Sequence, residues 1–409
     1  MRENLKIGLF GFGCVGGGLY EILNKSNLLD ASIKKICIKD PSKDRSIDSS
    51  NFTTNKADLL EDDEINLIVE LIDDADAAYE IVVEAFKKGK NVVSANKKLI
   101  ANHFAELKEL SEEYGVSFIY EAAVCGSIPI LRNLEEYYNN DAISAVYGIC
   151  NGTTNYILTR LVNENKSFDE VLKNAQELGF AESDPTLDIE GFDSQFKLQI
   201  LIAHAFGVIV KPEDILRFGI TKIQESDIKF AKEKGLRIRL LSRAEKVDDT
   251  ITGLVAPHFV DEEDATYGVN NEFNAVTVKG LFADKQLFQG KGAGSYPTGS
   301  AVLSDVSAVR YNYKYEWRKI KENSLNFNND FAVKAYISTT EFLALDGIEF
   351  LSVEESFIGL DNSYKVGLIT REELLRIAES KANVSVVLFQ DPIHDGTALN
   401  QKLINIQKN

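Results

Sequence analysis

An α/β protein built on a doubly wound parallel sheet is the architecture this sequence predicts, and three observations carry it. A short apolar run, Leu5–Phe10, ends in Gly11-Phe12-Gly13-Cys14-Val15-Gly16 and leads into a helical pattern through Leu19, Ile22 and Leu23. Strand-like and helix-like patterns then alternate to about residue 120, the rhythm of a sheet with helices on both faces. At 409 residues the chain is too long for one core, so two or three domains are expected.

The first element justifies itself chemically. In strand, G-x-G-x-x-G turn and helix, the glycines permit a tight turn and close approach of the backbone, and the free amides at the helix start attract a pyrophosphate. Gly11, Gly13, Cys14, Val15 and Gly16 are therefore candidate dinucleotide-binding residues, against the alternative of a merely structural turn. A second strand, Ile33–Ile38, follows at the distance a βαβ unit requires. Beyond it the first residue is Lys39 rather than an acid, with Asp40, Lys43 and Arg45 after it. Lys39 and Lys43 favour a 2′-phosphate, hence NADP with NAD as the alternative; the competing reading is a solvated loop.

The pattern continues with strand Leu67–Leu71, helix Ala75–Lys88, strand Asn91–Ser94, helix Lys98–Tyr114 and strand Ser117–Tyr120. Ligands in such sheets sit beyond the carboxyl ends of strands, where Asp73-Asp74, Asn96-Lys97 and Glu121 with the following turn fall. Residues about 1–130, with a return of about 296–325, are thus assigned to a dinucleotide-binding domain. Residues 131–295 are assigned to an α+β substrate and dimerisation domain with strands Ala142–Ile149, Ala275–Gly280 and Leu287–Gly290, and 326–409 to a small C-terminal α+β domain.

Composition limits the function. A net charge of −18 argues against a nucleic-acid surface or a polybasic membrane patch, because both need local positive potential. No apolar run reaches bilayer length, and the start of the chain enters a glycine-rich strand rather than a signal sequence, so a cytoplasmic location is expected. Cys14, Cys37, Cys125 and Cys150 lack any C-x-x-C pairing and read as small buried hydrophobes.

The chemistry concentrates in two places. Lys97 directly follows its strand at a helix start, where a cation is unfavourable and asks for an explanation; Lys98 beside it is expected to face water. The stretch Gly179–Lys197 gathers Glu182, Asp184, Asp188, Glu190 and Asp193 ahead of Lys197, on backbone that Pro185 and Gly191 keep irregular until a helix resumes near Asp193. Converging carboxylates bind an ammonium group, and a lysine among them polarises a carbonyl or grips a carboxylate, a combination suited to a small amino-acid substrate. Hydride transfer to an aldehyde needs a stabilised oxyanion and then a proton, which Lys97 and Lys197 facing each other across a cleft would supply. The competing view of Lys197 is an i,i+4 pair with Asp193 on a helix surface.

Two further turns carry polar or glycine-rich sequence. Asn151-Gly152-Thr153-Thr154-Asn155 precedes the helix Tyr156–Asn163, and Thr153 or Thr154 either caps that helix or meets a ligand. Gly290–Thr298, containing Gly292 and Gly294, precedes the helix Ser300–Tyr311 and suits a second face of the cofactor or a hinge.

Taken together, GFGCVGG, VVSANKKLIA, YEAAVCGSIPI, NGTTNYIL, AESDPTLDIEGFDSQFKL and GKGAGSYPTGSAVLSD resemble the signatures of homoserine dehydrogenase, in that family's order over about Lys6 to Tyr311. The resemblance implies NAD(P)H-dependent interconversion of L-aspartate 4-semialdehyde and L-homoserine, in threonine and methionine biosynthesis. By position it implies Lys97 and Lys197 as catalytic, Asn96 beside the cofactor, and Glu182, Asp188, Asp193 and Thr153 around the substrate. It also implies a monovalent cation, Na+ or K+, held mostly by backbone carbonyls of Glu121, Val124, Gly126 and Ile128, and a homodimer or higher homo-oligomer.

The chain departs from the family pattern at Asp73-Asp74, where two glycines are usual, at Ser127, and at its C-terminal end. Longer members end in an ACT-type βαββαβ domain. Here Phe331–Ser338, Phe350–Phe357, Ser363–Ile369 and Val384–Phe389 read as strands and Arg371–Ala382 as a helix, but the first helix is missing, which implies a degenerate ACT-like domain with an oligomerising role. With no kinase-like region ahead of the dehydrogenase, the monofunctional form is expected. Rival readings are another Rossmann dehydrogenase of amino-acid metabolism, although an acylating enzyme needs a nucleophilic cysteine with a base, and a dinucleotide-binding sensor without catalysis. Glu190, outside the family's catalytic set, is expected to be a surface residue.

Overall fold

The computed structural model describes residues 4–25, 29–140, 142–164, 166–322, 324–341, 344–380 and 382–396. Its first sheet is parallel and contains β1 (Leu5–Phe10), β2 (Ala31–Cys37), β3 (Phe52–Thr53), β4 (Leu67–Glu70), β5 (Asn91–Ser94) and β6 (Phe118–Ile119) in the order β3-β2-β1-β4-β5-β6. Every residue of β4 is buried, as a strand covered on both faces must be. The order reverses between β1 and β4, which opens a crevice beyond their carboxyl ends.

The chain divides into two units, Met1–Asn139 with Gly290–Arg318, and Asn140–Gln289 with Lys319–Asn409. The returning segment of the first unit is the helix Ser295–Val309, which starts five residues before the expected Ser300. Pro297 is tolerated because it lies in the first turn, where its missing amide has no helical partner to lose. This helix packs on Cys14–Lys25 through small residues: a Cβ on Gly18 would lie 2.3 Å from Ser295 O.

The second unit is organised on a twelve-stranded mixed sheet. Its centre is the antiparallel hairpin Arg237–Val247 and Thr250–Val260, in register from Val247 opposite Thr250 to Arg237 opposite Val260. Ile143–Ile149 pairs with one side of that hairpin and Phe273–Gly280 lies beyond it, followed by the edge strand Lys285–Lys291. On the other side, Val384–Phe389 pairs with Thr250–Val260 and leads to Phe331–Thr339, Ser363–Thr370 and Ser352–Ile358.

Numbered along the chain, those last four strands lie in the order fourth, first, third, second, with the helix Arg371–Glu379 before the fourth, which is the layout of a split βαβ unit. Where a first helix would stand, 344–351 forms turns and irregular chain. Residues 342–343, 381 and 397–409 of the expected C-terminal domain lie outside the described residues. The hydrophobic core under these strands includes Phe331, Val333, Ile369, Leu374 and Leu388, but also Leu216, Leu254 and Ala256 from the preceding segment.

Candidate functional site

In the first unit the three motif glycines have different duties. Gly11 takes φ +92°, and a Cβ there would lie 2.5 Å from Leu71 O; a Cβ on Gly16 would lie 2.4 Å from Gly11 O. Around a Cβ at Gly13 there is nothing within 4 Å, so backbone stands open at the start of the helix Cys14–Lys25. This is a cradle into which a pyrophosphate fits. Cys14 is exposed, which corrects the expectation of a buried thiol: it stands at the first position of the helix, at this open turn. Cys125 and Cys150 are buried as expected.

Beyond β2, Lys39 and Lys43 are exposed. Asp40, the nearby acid that would suit a ribose hydroxyl, accepts from the amide and hydroxyl of Ser42 at 2.9 and 2.6 Å, and these bonds hold its carboxyl below the usual range. Arg45 donates to Asp40 O and Lys43 O and lies over the Phe52 ring, bracing the loop. Asp73 and Asp74 do not need glycine conformations, for neither takes a positive φ. Asp74 caps the helix Ala75–Lys87 by accepting from Asp76 N and Ala77 N, while Asp73 is exposed.

Lys97 opens the helix Lys97–Glu113, one residue earlier than expected, and Asn96 is its cap. Lys97 is half-buried and Lys98 exposed. Downstream, Cys125 and Gly126 take consecutive left-handed conformations, φ 56° and 54°, and reverse the chain sharply. Ser127 N and its hydroxyl both donate to Lys291 O. The Glu121 carboxylate accepts from Leu131 N, Arg132 N and Arg132 Nε, and its carbonyl accepts from Val124 N at 3.2 Å. Among the described residues the carbonyls of Val124 and Gly126 take no hydrogen bond, whereas Ile128 O accepts from Ile130 N. Asp305, fully buried, accepts from Glu121 N at 2.9 Å; burial, with Glu121 nearby, holds its carboxyl well above the usual range.

In the second unit the acid-rich stretch folds as a short helix, Thr186–Ile189, then Gly191 at φ 82°, then the long helix Phe192–Phe206. Lys197 and Asp193 do form an i,i+4 pair, 2.7 Å apart, but with side chains only 8% and 4% exposed, so the surface-pair alternative is excluded. Lys197 Nζ also donates to Cys150 O at 2.7 Å. Asn151 caps the helix Gly152–Asn163 by accepting from Thr154 N, a role expected of Thr153 or Thr154. Its amide nitrogen donates to Asp188 at 2.7 Å and to Asp193 at 2.8 Å, tying the two carboxylates together.

Lys197, Asp193 and Asp188 therefore converge. Glu182 is exposed, and Asp184 turns onto the amide and hydroxyl of Thr186. Thr153 is buried and donates to Phe180 O. Glu190 is half-buried rather than on the surface: the turn at Gly191 folds it back, its carboxylate accepts from Thr221, and its carbonyl from Arg217. Asn151, the Cys150 carbonyl and Asn274, which also donates to Cys150 O, are the members that sequence reasoning missed. A polar residue at the cap position was the available signal for Asn151; a carbonyl ligand leaves none.

These two sets of residues fall within regions shared with known proteins. Residues 129–307 match the family model described as homoserine dehydrogenase, and 11–121 match its NAD-binding domain. The homoserine dehydrogenase of Bacillus subtilis is 39% identical over 319 residues, 76% of this chain and 74% of that protein. A crystal structure of a homoserine dehydrogenase from Thiobacillus denitrificans superposes with a TM-score of 0.82 at 30% identity, covering 95% of this chain and 98% of that one. A hyperthermophilic archaeal homoserine dehydrogenase in complex with NADPH superposes with a TM-score of 0.65 at 26% identity, covering 76% and 99%.

Proposed function

The chain belongs to the homoserine dehydrogenase family, an NAD(P)-dependent oxidoreductase of aspartate-family amino-acid biosynthesis, and from that premise we propose that Lys197 and Lys97 are its catalytic lysines. One observation carries the assignment: Lys197 is buried between Asp193 and Cys150 O, with Asn151 holding Asp188 against Asp193. Two carboxylates and one ammonium sum to a single negative charge, which one α-ammonium group of substrate neutralises. Asp188 and Asp193 take that ammonium, with Glu182 and Thr153 as outer members of the substrate set.

In the reductive direction the nicotinamide supplies the hydride when bound. The lysines stabilise the negative charge that develops on the aldehyde oxygen and provide its proton, completing the hydroxyl of homoserine. The open backbone at Gly13, with Gly11, Cys14, Val15 and Gly16, binds the pyrophosphate, and Asn96, Gly292 and Gly294 complete the cofactor set. Exposed Lys39 and Lys43, with Asp40 committed to Ser42, support NADP over NAD. The carbonyls of Val124 and Gly126, with those of Glu121 and Ile128 as second acceptors, hold a monovalent cation; the sharp reversal at Cys125 and Gly126, which leaves the Val124 and Gly126 carbonyls without a hydrogen bond among the described residues, supports this.

The same reading makes the enzyme a cytoplasmic homodimer or larger homo-oligomer; no helix among the described residues is long and apolar enough to cross a membrane. The strand order of the C-terminal part supports an ACT-like region of reduced form. The test is an assay of NADPH absorbance with aspartate semialdehyde, with NADPH and NADH titrated in parallel. Lys197→Ala is expected to bind NADPH and to turn over at least about a thousandfold more slowly; turnover within tenfold of the parent would refute the assignment.

A further inference from the structure

The carboxyl ends of β4 and β5 carry a closed ring of hydrogen bonds built on a carboxylate to which the proposed chemistry gives no role. Glu70, at the end of β4, is completely buried. Its carboxylate accepts from Ile72 N at 2.7 Å and from Ser94 Oγ at 2.6 Å. Ser94 Oγ accepts from Asn96 N at 3.0 Å, and the Asn96 side-chain amide donates back to Ile72 O at 3.0 Å. The remaining Asn96 oxygen accepts from Leu99 N, so the ring ends on the cap of the helix whose first residue is Lys97. On its other side, Leu71 N donates to Phe10 O, and Leu71 O is the atom against which Gly11 packs.

A buried carboxylate held by neutral partners costs free energy that a hydrophobic or amide side chain would avoid. Its location argues for a purpose. We propose that Glu70 is a positioning residue for the reaction, locking the turn that carries Lys97 and the loop that backs the Gly11 turn into one rigid assembly. The inference rests on the reading of Lys97 as catalytic and of the glycine turn as the cofactor site.

Burial, with a contribution from Asp73, pushes the Glu70 carboxyl up to about 7, against the lowering effect of Ser94 and the Ile72 amide. Asp73 is the charged group facing it; β1 and β5 present the Phe10 and Gly11 backbone and Ser94. The ring therefore exists in two forms across neutral pH. When ionised, Glu70 accepts from both donors. When protonated, one oxygen must donate, and Ser94, already accepting from Asn96, must reorient.

The experiment compares the full-length enzyme with Glu70→Gln, Glu70→Ala and Lys97→Ala, measuring kcat and KM for NADPH and aspartate semialdehyde between about pH 6 and 8. Glu70→Gln is expected to flatten the pH dependence of kcat/KM for NADPH, and Glu70→Ala to lower that ratio about tenfold, with KM for aspartate semialdehyde little changed. Parental ratios and an unaltered pH profile in Glu70→Gln would overturn the inference even if thermal stability moved. Should Glu70→Ala fail to fold, Glu70→Gln, of the same shape, decides. Full activity in Lys97→Ala would instead overturn the reading of Lys97, whatever the Glu70 variants do.

Discussion

At Lys197 the cost of burying an ammonium is offset by Asp193 at 2.7 Å and by a carbonyl, a cost that the same pair on a helix surface would not carry. Asn151 shows how much depends on one amide. Replacing it with Ala removes two donors from the acid pair and the cap of a helix, so KM for homoserine is expected to rise about tenfold, with about 1 kcal/mol of stability lost on denaturant unfolding. Titration adds a second residue-scale expectation. Burial, with Arg243 nearby, pushes the His258 imidazole down to about 3, below its usual 6.5. The unfolded chain therefore binds this proton first, and stability falls as pH drops from about 6.5 to 3. For Glu70 the shift is upward, so the folded protein holds its proton while the unfolded chain releases it, and stability falls as pH rises from about 4.5 to 7. Glu70→Gln should be the more stable form at pH 8, measured by urea unfolding. Asp193 and Asp188 were legible because acids on a Pro- and Gly-broken stretch stand out. Asn151 was not, because an amide serves a cap and a carboxylate cluster equally well.

Elements with local punctuation were read closely. β1, the glycine turn and the alternating helices of the first unit differ from expectation by a residue or two, since strand, turn and helix signals lie within about ten residues of one another. The hairpin Arg237–Val260 was missed, and Arg239 explains why. Arginine in a strand pattern reads as solvated, yet Arg239 is 1% exposed, its guanidinium held by Asn155, Thr159, Tyr267 O and Asn270, partners that only the tertiary fold supplies. Two glycines give a test of elements against ligands. Gly18→Ala drives a Cβ into Ser295 O and is expected to lower the melting temperature by several degrees, whereas Gly13→Ala meets nothing within 4 Å and should leave melting unchanged while raising KM for NADPH.

For the whole molecule, the expected third domain shares its sheet and its core with the second. Val384–Phe389 pairs with Thr250–Val260, and Leu216, Leu254 and Ala256 contribute to the core beneath the C-terminal strands. A chain ending at residue 325 is therefore expected to aggregate or to bind a hydrophobic dye, because it uncovers a strand edge and an apolar face together; a soluble, fully active truncation would contradict this. Composition gave no sign of that continuity, since pairing between distant strands has no local signature.

The helix Ser295–Val309 belongs to the first unit although about 150 residues of another unit precede it in the chain. On a ribosome, the seam along Gly18 stays bare until roughly three quarters of the polypeptide has emerged. The nascent cofactor-binding half thus waits for its last piece, and a circular permutant opened at Gly290, which makes this helix before residues 1–139, would remove the wait.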